Sequence, residues 1–261
     1  MKKNKVKEAL AKNNVAFGTW VQMSSPDAAE LASYAGFDFV MVDTEHGSFG
    51  IETVVSIFRA IELGGASPFI RLPDDNKTGI LKALDAGAMG ILVPGVSTKG
   101  EAEEIVKAAK FYPDGFRGAC PLTRSTGHGI FQWSDYVKWS NQETMVWLLI
   151  ESPEGISNIE EILSVDGIDA IVLGVFDLSV SLGLPDQIDH PNVKSKLSEI
   201  TKLAREKNTE VVRVILDSNT EQIVKEAKEW IVKGCRIVTS GTDRQILSQG
   251  FSENISLLKS L

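Results

Sequence analysis

Cysteine is nearly absent from this chain. Its 261 residues hold two, Cys120 and Cys235, far apart and in no CxxC or Cys/His spacing. That excludes a structural zinc site and fits a reducing compartment. No apolar run approaches the ~18 residues of a membrane helix, and no signal-peptide pattern opens the sequence. Basic charge is in short supply too: Lys and Arg number 27 against 35 Asp and Glu, a net charge of −8. Such a surface argues against nucleic acid or an anionic membrane as partner. The chain is expected to be a soluble cytoplasmic protein acting on a small molecule. Its length fits one α/β domain over 1–261, and its 43% apolar and 24% charged residues are those of an ordinary globular protein.

Against that plain background, residues 37–47 stand out. Phe37 to Val42 is an apolar run rich in β-formers, as in a strand buried on both faces. It empties into Asp43, Glu45, His46 and Gly47. Charged groups at a buried strand end need partners or a metal. Beside His46, Asp43 is placed to fix the imidazole tautomer, as general-base dyads require.

The same event recurs along the chain. After a leading helix at 4–12, strands are expected at 15–22, 37–42, 68–72, 89–93, 145–150, 168–173, 210–215 and 236–239. Helices at 28–34, 51–63, 76–86, 99–110, 155–164, 192–207, 220–232 and 243–259 separate or follow them. Pro26, after Ser25, sits where a missing N–H costs nothing. Eight alternations in this length predict a single-domain (β/α)8 barrel. No GxGxxG follows the first strand, which disfavours an open dinucleotide-binding sheet. The rhythm breaks once, at 114–143, a stretch holding Arg117, Arg124, His128, Trp133, Tyr136 and Trp139. It reads either as a lid or oligomer contact or as a surface excursion with a short helix near 134–141.

In such barrels the chemistry gathers where the strands end. Those positions hold Trp20 and Gln22, the Asp43–His46 cluster, Arg71, Pro94, Glu151, Gly174 with Asp177, Asp217, and Ser240-Gly241. Glu151 and Asp177 come from neighbouring strands and can grip one cation, with an all-oxygen preference for Mg²⁺ or Mn²⁺ and also Co²⁺. Each has a structural alternative: Glu151 as a charge at a helix start, Asp177 as a helix cap. Arg71 can hold a carboxylate or an enolate oxygen, or simply pair with Glu45 or Asp43. Gly174 lets backbone N–H groups approach an anion. No Lys stands at a strand end, so a Schiff-base mechanism has no nucleophile, and there is no GxSxG. Neither Leu216-Asp217-Ser218 nor Ser240-Gly241-Thr242 opens a strongly Gly-rich phosphate loop. His190, before Pro191, reads as structural.

Taken in order, DTEHG at 43–47, FIRLP at 69–73, ILVPGV at 91–96, GFRGA at 115–119, LLIES at 148–152 and GVFDLS at 174–179 resemble the HpcH/HpaI aldolase family. These are class II pyruvate aldolases of the phosphoenolpyruvate/pyruvate barrel superfamily. The resemblance runs from about Val15 to the C-terminus. It implies metal-dependent cleavage of 4-hydroxy-2-oxoacids to pyruvate and an aldehyde, with the reverse condensation. Carried over by position, Glu151 and Asp177 would bind the metal and Arg71 would stabilise the enolate. His46, paired with Asp43, would act as base through a water on the metal. Trp20 and the backbone of Gly174, Val175 and Phe176 would bind substrate. The resemblance also implies a hexamer, a trimer of dimers exchanging the helix at 243–259. Two positions depart from the family pattern: Val175-Phe176 stand where Pro often follows the glycine, and Leu149 stands where Gln is common. Both bear on the substrate.

Two other functions share these residues. A citrate-lyase-like or citrate-forming enzyme would use the same enolate with another acceptor. A CoA substrate would favour a basic mouth, and the chain offers only Arg117, Arg124 and a few lysines for one. A non-catalytic oxoacid-binding barrel would bind metal and ligand without proton exchange.

Overall fold

Eight apolar runs form eight parallel strands that close on one another in chain order. They are β1 (Ala16–Val21), β2 (Phe39–Asp43), β3 (Ser67–Arg71), β4 (Gly90–Val93), β5 (Met145–Ile150), β6 (Ala170–Leu173), β7 (Glu210–Ile215) and β8 (Ile237–Thr242). Helices follow every strand, and the fold is a (β/α)8 barrel. The structure is a computed structural model describing residues 1–217 and 219–261. Ser218, in the stretch Leu216-Asp217-Ser218 read above for a phosphate loop, lies outside the described residues.

Alternation along each strand sorts its side chains between two cores. Val40, Val42, Ile70, Ile91, Val93, Val146, Leu148 and Ile150 face the helices, while Phe39, Met41, Phe69, Leu92, Trp147 and Leu149 fill the barrel. In the interior, Phe39, Phe69 and Trp147 meet with ring centroids 4.6–5.3 Å apart. Gly18 gives Phe39 its place, since a Cβ there would overlap the phenyl ring. Each fully buried side chain of this size is worth about 1.5–3 kcal/mol. This packing makes the strand ends a rigid platform for the groups above them.

The leading helix is Lys5–Ala11, and it plugs the lower end of the barrel. Buried Asn4 caps it by accepting from the Val6 N–H, and its amide donates to Met89 O (3.0 Å) and Glu143 O (2.9 Å). The expected helix at 155–164 is two short ones, Pro153–Ser157 and Ile159–Ile162, broken at Asn158. The helix start expected near Gly174 and Asp177 is that of a short helix, Val175–Ser181, directly after β6. Its seven residues are too few for a clear periodic signal. The excursion forms a helix at Trp133–Glu143. The last helix, Asp243–Lys259, is seventeen residues long and has no buried residue. Among the described residues, no helix is long and apolar enough to cross a membrane.

Candidate active site

The inward-facing columns of the barrel end in polar groups. Met41 leads to Asp43, Phe69 to Arg71, Leu149 to Glu151, Val172 to Gly174, and Trp20 to Gln22, each pair two residues apart and so on one face. A cavity of about 500 Å³ lies above them, at the C-terminal ends of the strands. Its floor is Leu92, Leu149 and Val172, and its walls include Trp20, His46 and Phe176.

Asp43 is fully buried and heavily bonded. β2 and β3 pair it in register with Arg71. Arg71 donates Nε to Oδ1 (2.9 Å) and Nη2 to Oδ2 (2.5 Å), and Gln22 Nε2 donates to Oδ2 (2.8 Å). The backbone N–H groups of Glu45 and His46 complete Oδ1. Burial pushes the Asp43 carboxyl upward, but the Arg71 hydrogen bonds and charge, with Gln22, outweigh it and hold the group below the usual carboxylate range. Asp43 therefore reaches His46 through its backbone, and the partner of the Asp43 carboxylate is Arg71 rather than the imidazole. His46 is exposed at the cavity wall.

Arg71 is clamped on three sides. Besides Asp43, it lies 2.9 Å from Glu45 Oε2 through Nη1 and 5.0 Å above the Trp20 ring. Trp20 is fixed in turn by its Nε1–H to Thr239 Oγ1 (3.0 Å). Glu45 Oε2 is nevertheless a buried acceptor that no hydrogen bond satisfies.

Opposite stands Glu151, whose Oε1 accepts the Gly95 N–H at 3.0 Å. Desolvation raises the Glu151 carboxyl above its ordinary value, and the charges of Glu45 and Asp177 add to this. Asp177 sits inside the first turn of Val175–Ser181, whose cap position is Gly174, so it is not the helix cap. Gly174 lets Glu151 and Asp177 stand close: a Cβ there would lie 2.9 Å from Glu151 Cβ and 3.0 Å from Asp177 Oδ2. Crowded like charges and space held open by a glycine suit a divalent cation. Among the described residues no three His, Cys, Asp or Glu side chains form a metal-ligand group. The residues that could hold such an ion are the two carboxylates Glu151 and Asp177.

Gln22 and Glu45 prove more central than their sequence positions suggested. Gln22 was visible, two residues after Trp20 in the same inward column. The far wall of the cavity was not: it comprises Asp189, Arg213, Asp217 and Glu226. Arg213 leaves β7 on its helix-facing side, between Val212 and Val214 of the interior, and is bound by Glu226 on the helix Thr220–Val232. Nothing in the strand pattern marks it.

The excursion at 114–143 does not cover this mouth. It packs at the opposite end, where Arg117, Arg124, His128 and Tyr136 border a second cavity together with Met89 and Thr144, which precede β4 and β5. Arg117 pairs with Asp85 (2.7 Å) and Arg124 with Glu62 (2.9 Å). The excursion is therefore not a lid over this mouth, and His128 lines the other cavity. His190 caps the helix Pro191–Glu206 by accepting the Asn192 N–H, a structural role.

A family model described as HpcH/HpaI aldolase/citrate lyase matches residues 16–245. The hydroxypyruvate/pyruvate aldolase of Sagittula stellata is 35% identical over 195 residues, 75% of this chain and 76% of that protein. The 5-keto-4-deoxy-D-glucarate aldolase of Escherichia coli is 34% identical over 197 residues, 76% of each. Among solved structures, citrate synthase SbnG superposes with a TM-score of 0.85 at 31% identity, covering 98% of this chain and 97% of that one.

Proposed function

The chain belongs to the HpcH/HpaI aldolase/citrate lyase family, and we propose that it is a carbon–carbon lyase that cleaves a 4-hydroxy-2-oxoacid to pyruvate and an aldehyde, and runs the reverse condensation. One observation carries this reading. A buried carboxylate, Asp43, holds the Arg71 guanidinium at the same cavity into which Glu151 and Asp177 open.

Glu151 and Asp177 would hold Mg²⁺, Mn²⁺ or Co²⁺, which when bound supplies positive charge to polarise the keto group. The chain's own residues do the rest. The backbone N–H groups that open the helix Val175–Ser181 have no intrahelical partner and receive the substrate carboxylate. Asp43, Glu45 and Trp20 leave Arg71 little freedom, so its outer N–H groups meet the oxygen on which charge develops without reorganising. His46 takes the proton of the 4-hydroxyl as the C3–C4 bond breaks. The bonding pair passes toward the C2 oxygen beside Arg71, and the proton held by His46 is then delivered to C3 of the enolate to give pyruvate, which returns His46 to its neutral form. Leu92, Leu149 and Val172 keep the floor beneath the reacting carbon apolar.

A citrate-forming reaction is the second reading, favoured by the likeness to SbnG. It needs an acceptor with more negative charge, yet both arginines bordering the cavity are already paired, Arg71 with Asp43 and Arg213 with Glu226. The aldehyde reading is preferred on that ground. The chain is further proposed to assemble through its last helix, none of whose apolar residues is buried within one subunit.

Deuterium exchange of the pyruvate methyl protons, followed by NMR, tests the chemistry. Exchange that needs Mg²⁺, Mn²⁺ or Co²⁺ and is lost in His46→Ala or Asp177→Ala supports enolate formation. A folded protein that exchanges nothing with any metal would sink it.

A further inference from the structure

Resting on that aldolase reading, we infer that the far half of the cavity selects an uncharged, hydroxyl-bearing aldehyde as the partner of pyruvate, and turns away aldehydes that carry a carboxylate.

The walls of the cavity are unequal in charge. Near the proposed pyruvate end stand Arg71, Glu151 and Asp177; at the far end stand Asp189, Arg213, Asp217 and Glu226. An anionic group on the acceptor would need a cation free to meet it. Arg213 is not free: Nε and Nη2 both donate to Glu226 Oε1, at 2.8 and 2.5 Å, and the guanidinium lies 5.0 Å above the Trp230 ring. Arg71 is held by Asp43 and Glu45, and its outer N–H groups are assigned to the enolate oxygen. Lys194, just outside the wall, is bound to Asp189 at 2.8 Å. Even with a divalent cation between Glu151 and Asp177, the described lining keeps a surplus of carboxylates.

A hydroxyl group meets the opposite reception. Asp217 accepts the Asn219 N–H on Oδ1 (2.7 Å) and stands at the rim, where its carboxylate can accept from a sugar-like hydroxyl. Specificity of this kind is a difference between two affinities, built by repulsion of one ligand as much as by attraction of the other. The departure is from a relative such as the 5-keto-4-deoxy-D-glucarate aldolase, whose named substrate is a dicarboxylate.

The test uses the assembled protein with Mn²⁺ and saturating pyruvate. Condensation is followed with glycolaldehyde and glyceraldehyde, and with glyoxylate and succinic semialdehyde. The neutral pair is expected to show kcat/KM at least about tenfold above the anionic pair. That ratio should narrow about fivefold or more in the double variant Asp189→Asn, Asp217→Asn, and also in unaltered protein as salt screens the wall. Taking the ratio within one preparation cancels any loss common to both acceptor classes. An anionic acceptor preferred by the unaltered protein overturns the inference, as does a ratio unmoved by both the double variant and salt. Pyruvate methyl exchange is run beside it. Its absence overturns the aldolase reading itself and this inference with it, whereas intact exchange with the wrong acceptor order overturns the inference alone.

Discussion

Asp43 and Arg71 are register partners across β2 and β3, and their side chains meet above the barrel interior in a two-point ion pair, 2.9 Å at Nε–Oδ1 and 2.5 Å at Nη2–Oδ2. Two parallel N–H···O bonds fix the plane of the guanidinium as well as its position. A lysine in its place keeps the charge but makes only a point contact. Arg71→Lys is therefore expected to lower kcat for pyruvate methyl exchange by about 10²–10³, the usual cost of losing a preorganised donor. Asp43→Asn should act through Arg71, lowering kcat while leaving the KM for pyruvate within about threefold. An Asp43→Asn protein with unaltered kcat would show that the pair serves stability alone.

The origin of that pair explains what the sequence could and could not disclose. Phe37 to Val42 announces a buried strand, so the charged cluster after it was legible, as were Arg71, Glu151 and Asp177 after theirs. Which of these groups touch was not. Asp43 and His46 are three residues apart and invite pairing, but the carboxylate turns sideways to a strand 28 residues on. Lateral register is set by packing across the sheet and leaves no local trace. Of the helix Val175–Ser181 only the start was legible, at Gly174 and Asp177, because it is shorter than two turns. Arg213 escaped because its partner Glu226 belongs to a different periodic segment.

Gly174 supplies a second prediction. Its φ of −66° suits any L-residue, so Gly174→Ala meets no backbone strain. The added Cβ instead presses on Glu151 Cβ and Asp177 Oδ2, at 2.9 and 3.0 Å. The two carboxylates must spread, and Mn²⁺ affinity by calorimetry is expected to fall about tenfold or more, a loss in the range of disturbed metal-site supports. The melting temperature of the metal-free protein should change little. Equal Mn²⁺ affinity in the two proteins would remove Gly174 from the site.

Lys110 gives a pH dependence away from the chemistry. Its amine is buried and donates to Asn141 O (2.9 Å) and Thr144 O (2.7 Å). Burial pulls its pKa down to about 8, with Lys7 adding to the effect and Asp169 and Asp114 opposing it. The unfolded chain keeps the proton to near 10.4, so between about pH 8 and 10.4 it binds more protons than the folded one. Stability from this group must then rise with pH across that window, by about 3 kcal/mol at most. Urea unfolding of the unaltered protein and of Lys110→Met, at one protein concentration from pH 7.5 to 10, isolates it. The difference in unfolding free energy should shift in favour of the lysine as pH rises; a flat difference contradicts a depressed pKa.

The last helix carries the prediction about assembly. Asp243–Lys259 begins beside β8, and Thr242 caps it by accepting the Gln245 N–H at 3.1 Å. Beyond that first turn it offers Phe251, Ile255 and Leu258 to solvent, at 69, 49 and 64% exposure. Three apolar groups spaced at i, i+4 and i+7 make one stripe, the pattern of a helix that packs against something. In a lone subunit about half or more of each stays exposed, and an apolar patch of this kind marks an interaction surface. Phe251→Asp with Ile255→Asp puts two charges in that stripe. The expected result is a lower mass in light scattering behind size exclusion, with the far-ultraviolet circular dichroism of the barrel retained. Should the double variant keep the mass of the unaltered protein, the helix is not the assembly element, and the contact must be sought elsewhere on the surface, first at Leu122 and Ile130 of the excursion, which are 70 and 82% exposed.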